Sequence, residues 1–350
     1  MSTQTWVIEQ FDPKTASAQE WERYHAYRKT RHVERERDEP LFPDDQVETM
    51  MKMDDPYSKP FHFGISDGDV IVSSFGGGIA TPEAPGYDSN KQYFWFGGSV
   101  LKGYRRRGIG KLWLPKLLEL MQETETTVAT TGTDEPDGNE FLRWAGFEGK
   151  QEGAENRLKW DEIDWELVDS WIAEGQKRSP DSKLEFYENR LPDAFLEEYA
   201  TAMTPLLNTM PFDDLDHGEI VFTADVLREH YKRGDQIGAE HHVALIREPD
   251  GSISGMTDVV WLPPQAAFVQ QQFTGVHPDA RGRGLGKWLK AYMLKFLKGR
   301  YDGIEWVATG NANSNDPMLG INKRLGFKEH RPNVAYQISR DTLADFVNKL

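Results

Sequence analysis

The sequence has no cysteine among its 350 residues. That excludes a disulfide scaffold, a thiolate nucleophile and any zinc site built on cysteine, and it fits a reducing compartment. No metal site is expected. Long hydrophobic runs are missing too: nothing approaches about 18 uninterrupted apolar residues, and Met1 to Phe11 lacks the basic start and apolar stretch of a signal peptide. A soluble, cytoplasmic protein that does not engage membranes is the expectation. Positive charge is in short supply, with 41 Lys and Arg against 57 Asp and Glu and a formal net charge of −16. Such a chain repels a phosphate backbone, so nucleic acid is not an expected partner. Cationic small molecules or basic peptides match better, unless the acid serves solubility alone.

Core material is present in quantity: 38% of the residues are hydrophobic, 12% are aromatic and 11 are Trp. The chain also exceeds the about 100–200 residues of a typical domain, so two domains are expected. An internal repeat supports this. Ser99-Val-Leu-Lys-Gly-Tyr-Arg-Arg-Arg-Gly-Ile-Gly-Lys111 recurs in kind as Gly275-Val-His-Pro-Asp-Ala-Arg-Gly-Arg-Gly-Leu-Gly-Lys287, and each segment leads on to a Gly-Phe pair, at Gly146-Phe147 and Gly326-Phe327. Arg105 and Arg281 stand 176 positions apart, and the two Gly-Phe pairs 180. Acidic amphipathic helices, Asp164–Glu174 and Asp341–Leu350, follow in both halves. The turn formers of Gly175 to Lys183 suggest a linker over 175–182, leaving domains at 1–174 and 183–350.

Both halves carry one predicted order of elements. The first reads as strand Thr5–Phe11, helices Ala18–Thr30 and Asp44–Met53, then strands Phe61–Ser66, Asp69–Ile79 and Tyr93–Val100. The second reads as strand Lys183–Tyr187, helices Pro192–Leu206 and Ala224–Arg233, a hairpin turning at Glu248-Pro-Asp-Gly-Ser252, and strand Ala267–Val276. Helices Gly108–Thr124 and Gly284–Lys298 come next, with Pro115 predicting a kink or restart in the former.

The glycine turns carry the chemistry. In each copy a strand ends at Val100 or Val276, turns through Arg-x-x-Gly-x-Gly and enters a helix directly. Glycines let a ligand approach the backbone, and the unpaired N–H groups of a first helical turn face outward at the positive end of the helix dipole. An anion such as a diphosphate suits that geometry. Local charge agrees, because no acid lies between Lys102 and Leu118 or between Ala280 and Tyr301. Gly-x-x-x-x-Gly-Lys-Ser/Thr is absent and Gly-x-Gly-x-x-Gly fails at Trp113 and Leu289, which disfavours a kinase or a dehydrogenase.

Val276, Pro278, Arg281, Gly284 and Gly286, with a helix, a strand, an Asn and Leu325-Gly-Phe327 after them, resemble the GNAT N-acetyltransferases. The tandem arrangement is similar to the mycothiol-synthase-like branch of that family. The resemblance implies an α/β (α+β) fold of two tandem GNAT-like domains, each a mixed, mostly antiparallel twisted sheet flanked by helices. It implies acetyl-CoA as cofactor, bound by Val276, His277, Arg281, Gly282, Arg283, Gly284, Leu285, Gly286 and Lys287, with its diphosphate on the backbone amides from Gly282 to Gly286 and its pantetheine arm along the strand end at Val276 and in contact with Asn315. In the first copy the equivalent set is Val100, Arg105, Arg106, Arg107, Gly108, Ile109 and Gly110. It further implies that the strand ending at Val276 splays from its neighbour, Gly303–Gly310, and that a backbone N–H near Val276 stabilises the acyl oxygen.

Two family features are altered. The Tyr that protonates the departing thiolate is Asn322 here, leaving a water, Tyr292 or the thiolate's own low basicity to serve. No carboxylate lies on strand Ala267–Val276, so Asp258 is the candidate base, with His241 and His242 read as structural or surface residues. The first copy has Leu142 at the proton-donor position and no Asn motif, so weak CoA binding or a purely structural role is expected of it. The expected activity is acetyl transfer to a primary amine by direct attack in a ternary complex. The alternative is a catalytically inactive acyl-CoA-binding sensor or scaffold. Chain charge favours a cationic acceptor such as an aminoglycoside, polyamine, amino-sugar conjugate or peptide amine. A monomer is expected, since a tandem pair already imitates a dimer.

Overall fold

A computed structural model describes residues 6–35 and 39–350. The first run of elements is β1 (Ile8–Gln10), α1 (Ala18–Arg35), α2 (Asp44–Lys52), β2 (Ser58–Asp67), β3 (Val70–Ala80), a single-turn α3 (Tyr87–Asn90), β4 (Tyr93–Val100), α4 (Trp113–Glu123), β5 (Val128–Thr133), α5 (Pro136–Trp144), β6 (Glu148–Lys159) and α6 (Trp165–Arg178). The second is β7 (Lys183–Tyr187), α7 (Leu196–Leu207), α8 (Ala224–Asp235), β8 (Glu240–Arg247), β9 (Ile253–Trp261), β10 (Phe268–Val276), α9 (Leu285–Arg300), β11 (Trp306–Ala312), α10 (Asp316–Leu325), β12 (Lys328–Ser339) and α11 (Arg340–Val347). Apart from α3 the two orders are the same. The strand expected from Thr5 begins at a residue outside the described ones. Pro115 does force a restart: a 3₁₀ segment, Ile109–Leu112, precedes α4, and the proline falls in the first turn of α4, where its missing N–H costs no helical bond.

Two compact units result. Unit 1 comprises residues 1–151, 213–219 and 333–350, and unit 2 comprises 152–212 and 220–332. The sheet of unit 1 runs β1-β2-β3-β4 antiparallel, β5 parallel to β4, and then β12 antiparallel to β5 with Val334 opposite Thr133. In unit 2 the order β7-β8-β9-β10 is antiparallel, β11 is parallel to β10, and β6 is antiparallel to β11 with Trp306 opposite Lys159. Each copy thus lends its closing strand to the other unit's sheet. The expected break at 175–182 therefore does not separate the units: 152–178 belong to unit 2, because β6 pairs there and α6 packs its Val168 and Trp171 among Leu285, Trp288 and Leu289 of α9. Gly175 allows this close approach; a Cβ there would lie 2.4 Å from the Trp288 ring.

Strand alternation sorts the core of unit 2 into two layers. Val243 and Leu245 of β8 and Met256 of β9 pack under α7 and α8, while Ala244, Ile246 and Val259 pack under α6 and α9. His241 and Asp258 share the parity of the first set, so the sheet aims both toward α7 and α8. In unit 1, Phe63, Phe75, Phe96 and Trp113 form the corresponding aromatic centre.

Lys290 breaks the pattern of α9: it is 2% exposed, its ammonium lies 5.2 Å from the centroid of the Phe327 ring, and burial pushes its pKa down to about 7. An unfolded lysine keeps its proton to about 10.4, so stability rises with pH between those values, by up to about 1.4 kcal/mol per unit. Lys290→Met should raise the thermal midpoint at pH 7 and abolish most of the wild type's gain in stability between pH 7 and 9, measured by thermal denaturation across that range.

Candidate active site

The turn after β10 is shaped by two left-handed residues, Gly282 at φ 79° and Gly284 at φ 84°. Its counterpart repeats the shape with Arg106 at φ 59° and Gly108 at φ 85°, so an arginine holds in the first copy a backbone conformation that glycine adopts without strain. Among the described residues, no hydrogen bond of the protein uses the backbone N–H groups of 282–286. They form an open row of donors at the start of α9, as an anion cradle requires.

Side chains around the cradle divide in two. Arg281 hangs its guanidinium from the Val276 carbonyl, Nε to O 3.3 Å, and reaches the Thr209 hydroxyl at 3.5 Å. Arg283 instead turns into the protein, donating to Glu248 at 2.8 Å, to Ser179 at 3.2 Å and to Ser182 at 2.6 Å. Lys287 lies over the Trp171 ring, 5.5 Å from its centroid. For these two only the backbone faces the cradle. His277 caps the turn, accepting from the Asp279 N–H at 3.4 Å. Arg178, not singled out in the sequence, sits at the cradle: its Nη2 donates to the Gly282 carbonyl at 2.7 Å. The signal for it was the basic last turn of α6.

Upstream, β10 and β11 pair only at Phe268–Gln270 with Trp306–Ala308, and beyond that they part. The expected splay is therefore present, and β4 repeats it, pairing with β5 only at Tyr93–Trp95. His277 N–H donates to the Ser254 carbonyl of β9 at 2.8 Å, so by alternation the Val276 N–H faces the open side. Asn322, 1% exposed, donates to Asn311 Oδ1 at 2.8 Å where β11 has left β10, and its own Oδ1 has no partner. An amide has no proton to release, so Asn322 cannot act as an acid. Asn315 caps α10, accepting from the Met318 N–H at 3.4 Å. Tyr292 is away from the opening, its ring 5.6 Å from that of Phe186 in the core.

Where β10 leaves β11 it also bulges, with the register against β9 shifting between Gln271 and Thr274. Asp258 is tied to that bulge. Its Oδ1 accepts the Phe273 N–H at 3.0 Å, and its Oδ2 is 2.9 Å from His241 Nε2. His241 Nδ1 is 3.2 Å from the Tyr231 hydroxyl, which itself accepts the Leu191 N–H at 3.1 Å. This network assigns the His241 proton to Nε2. Gln271 fills the bulge from within, donating to the Asp258 carbonyl at 2.6 Å. His241 was read as structural or surface; it stands 2.9 Å from the candidate base and with it lines a cavity of about 450 Å³ under α7 and α8. His242 faces the other layer, wholly buried beside the Tyr301 hydroxyl at 2.6 Å, and burial lowers its pKa to about 4.

The first copy builds its own cavity, of about 490 Å³, from Val100, Arg105, Arg106, Gly108, Ile109, Gly110 and the start of α5. Here, however, carboxylates meet the arginines. Arg105 binds Glu135 at 2.7 Å and Asp137 at 2.9 Å, Arg31 also binds Glu135, and Arg106 binds Glu140 at 2.5 Å. Burial pushes the Glu135 carboxyl up, but Arg31 and Arg105 outweigh it and hold it below the ordinary range; Asp137 is lowered chiefly by its bond to Arg105. Arg107 folds back over the Tyr104 ring at 4.9 Å and donates to the Gly103 carbonyl. Glu135 occupies the position that Asn315 holds in the second copy, counted from each Gly-Phe.

A splayed parallel pair, a bulged strand and an open amide row at a helix start come together in this α/β fold. Residues 205–327, within the second copy, match the acetyltransferase (GNAT) family. No curated protein matches the chain. Among solved structures, a tandem GNAT protein from the clavulanic acid biosynthesis pathway aligns over 96% of this chain and 99% of its own, with a TM-score of 0.72 and 17% identity. A GCN5-related N-acetyltransferase from Sphaerobacter thermophilus aligns over 96% of both chains, with a TM-score of 0.63 and 12% identity. A glucosamine N-acetyltransferase region of a fungal multi-domain β-N-acetylglucosaminidase covers 95% of this chain and 38% of that one, at a TM-score of 0.66 and 14% identity. At these identities the likeness is one of fold, and the fold is that of tandem GNAT proteins. Among the described residues no helix is long and apolar enough to cross a membrane.

Removing the Asp258 carboxylate strands the half-buried Phe273 N–H and the His241 ring. Asp258→Ala should therefore cost about 1–3 kcal/mol of stability, read from chemical denaturation, whereas a carboxylate merely facing solvent would cost almost nothing.

Proposed function

We propose that the second copy transfers an acetyl group from acetyl-CoA to a primary amine, by direct attack while both are bound. The observation that carries this reading is the unused row of amides at 282–286, continuous with the parting of β10 from β11 and the bulge held by Asp258. The residues present fit the cofactor: the amides and the guanidiniums of Arg281 and Arg178 suit a diphosphate, and the splayed strand leaves backbone groups for a pantetheine arm. Acetyl-CoA supplies an activated acyl group, whose carbonyl carbon gains the C–N bond as its C–S bond breaks and CoA departs as the thiol.

This chain's residues handle protons and charge. Asp258, next to His241, takes the proton that the acceptor ammonium must lose before its nitrogen can attack. The Val276 N–H faces the acyl oxygen as negative charge grows there. Asn322 orients and does not protonate, so the departing thiolate is protonated from solvent.

The first copy binds acetyl-CoA more weakly, because Glu135 and Asp137 already occupy Arg105 where the diphosphate would compete for it. Calorimetric titration should find one tight site per chain. Valine at Gly284 cannot adopt φ near 84° without strain, so Gly284→Val should weaken that site at least about tenfold, a loss of about 1.4 kcal/mol, while Gly108→Val leaves it intact. Loss of tight binding in Gly108→Val instead would reverse the ranking of the copies. The double substitution Glu135→Gln and Asp137→Asn should strengthen binding at the first copy. Release of free CoA in the presence of amines separates transfer from the alternative of an inactive acyl-CoA sensor, for which binding persists with no turnover.

A further inference from the structure

The cavity of unit 2 says more about the acceptor than the charge of the chain does. It holds about 450 Å³ and reaches from Gln272 and Phe273 in the β10 bulge, past His241 and Asp258, to the inner faces of α7 and α8. Its apolar wall comes from Met203, Leu207, Met210, Phe222, Leu227 and Val260. Among the described lining residues Asp258 is the only carboxylate, and Arg190 and two histidines share the wall with it. The Tyr199 hydroxyl is buried without a hydrogen-bond partner, in a residue that is 1% exposed and lines the same space.

Resting on the acetyl-transfer reading above, we propose that the acceptor is a primary monoamine with an apolar or aromatic body, seated in this cavity with its nitrogen at Asp258. Desolvating an ammonium costs several kcal/mol unless a carboxylate meets it. One carboxylate can serve one amine. A polyamine or an aminoglycoside would bring further ammonium groups against methionines, leucines and Arg190, whose guanidinium already takes up the neighbouring Asp235 carboxylate. The net charge of −16 lies elsewhere on the chain and does not act as a counter-ion inside this wall. Burial, reinforced by the charge of Asp258, raises the pKa of Tyr199, so its hydroxyl stays protonated and offers one donor to an acceptor atom on the body of the amine.

The test compares CoA release with phenethylamine, propylamine, spermidine and kanamycin at saturating acetyl-CoA. Phenethylamine should give the highest kcat/KM, at least tenfold above spermidine and kanamycin. In Met210→Trp, which fills part of the cavity from a half-buried position, KM for phenethylamine should rise about tenfold, and acetyl-CoA titration shows that the variant still folds and binds. Preference for spermidine or kanamycin overturns the acceptor class and leaves acetyl transfer standing. Unchanged phenethylamine kinetics in Met210→Trp likewise overturns the seat of the amine alone. No release with any amine, despite binding of acetyl-CoA, overturns both readings.

Discussion

The separation of two parallel strands after only three paired residues is the constraint on which the second copy is organised. Up to Gln270, β10 shares a ladder with β11; from there it has a free edge on one side and β9 on the other. A free edge inside a sheet is costly unless something satisfies its N–H and C=O groups. The bulge answers part of that demand, since Asp258 takes the Phe273 N–H and Gln271 takes the carbonyls around it. What remains unpaired is a short row of backbone donors leading to the glycine turn, which in the proposed reading a ligand with amide and phosphate groups completes.

Electrostatics in this protein is local. A chain carrying an excess of acid keeps two basic glycine turns, and their fates diverge through a handful of neighbours. Beside the second turn, Arg283 is neutralised by Glu248, which anchors the loop, while Arg281 and Arg178 remain at the cradle. Beside the first, Glu135, Asp137 and Glu140 bind the arginines directly. The two turns share their left-handed positions, so what separates the copies is the carboxylates at the start of α5, which face the first turn alone.

Much of the site was legible before folding. The repeat gave both turns and the matching order of elements, and β4 and β7 coincide with their expected spans. Asp258 could be nominated by elimination. Its partner could not: His241 lies 17 positions away on another strand, and nothing in its surroundings marks it until β8 and β9 pair and alternation turns both residues to one face. Arg283 and Lys287 looked like cradle residues because they neighbour the glycines, yet their side chains are drawn off by Glu248 and Trp171. Adjacency in sequence fixes where a backbone is and leaves open where a long side chain finds its partner.

By itself the sequence determined the local conformations, since glycine and proline chemistry, strand alternation and helical periodicity act over a few residues. It therefore specified two copies of one series of elements and the shape of their anion turns. Only the tertiary structure decided which sheet each closing strand would join. A β-ladder is made of backbone groups that every residue shares, so β6 and β12 could pair with either copy's fifth strand as far as hydrogen bonding is concerned. The choice rests on long-range packing, with α6 buried against α9 through Trp171 and Trp288, and α11 buried through Leu343 in the core around Trp113.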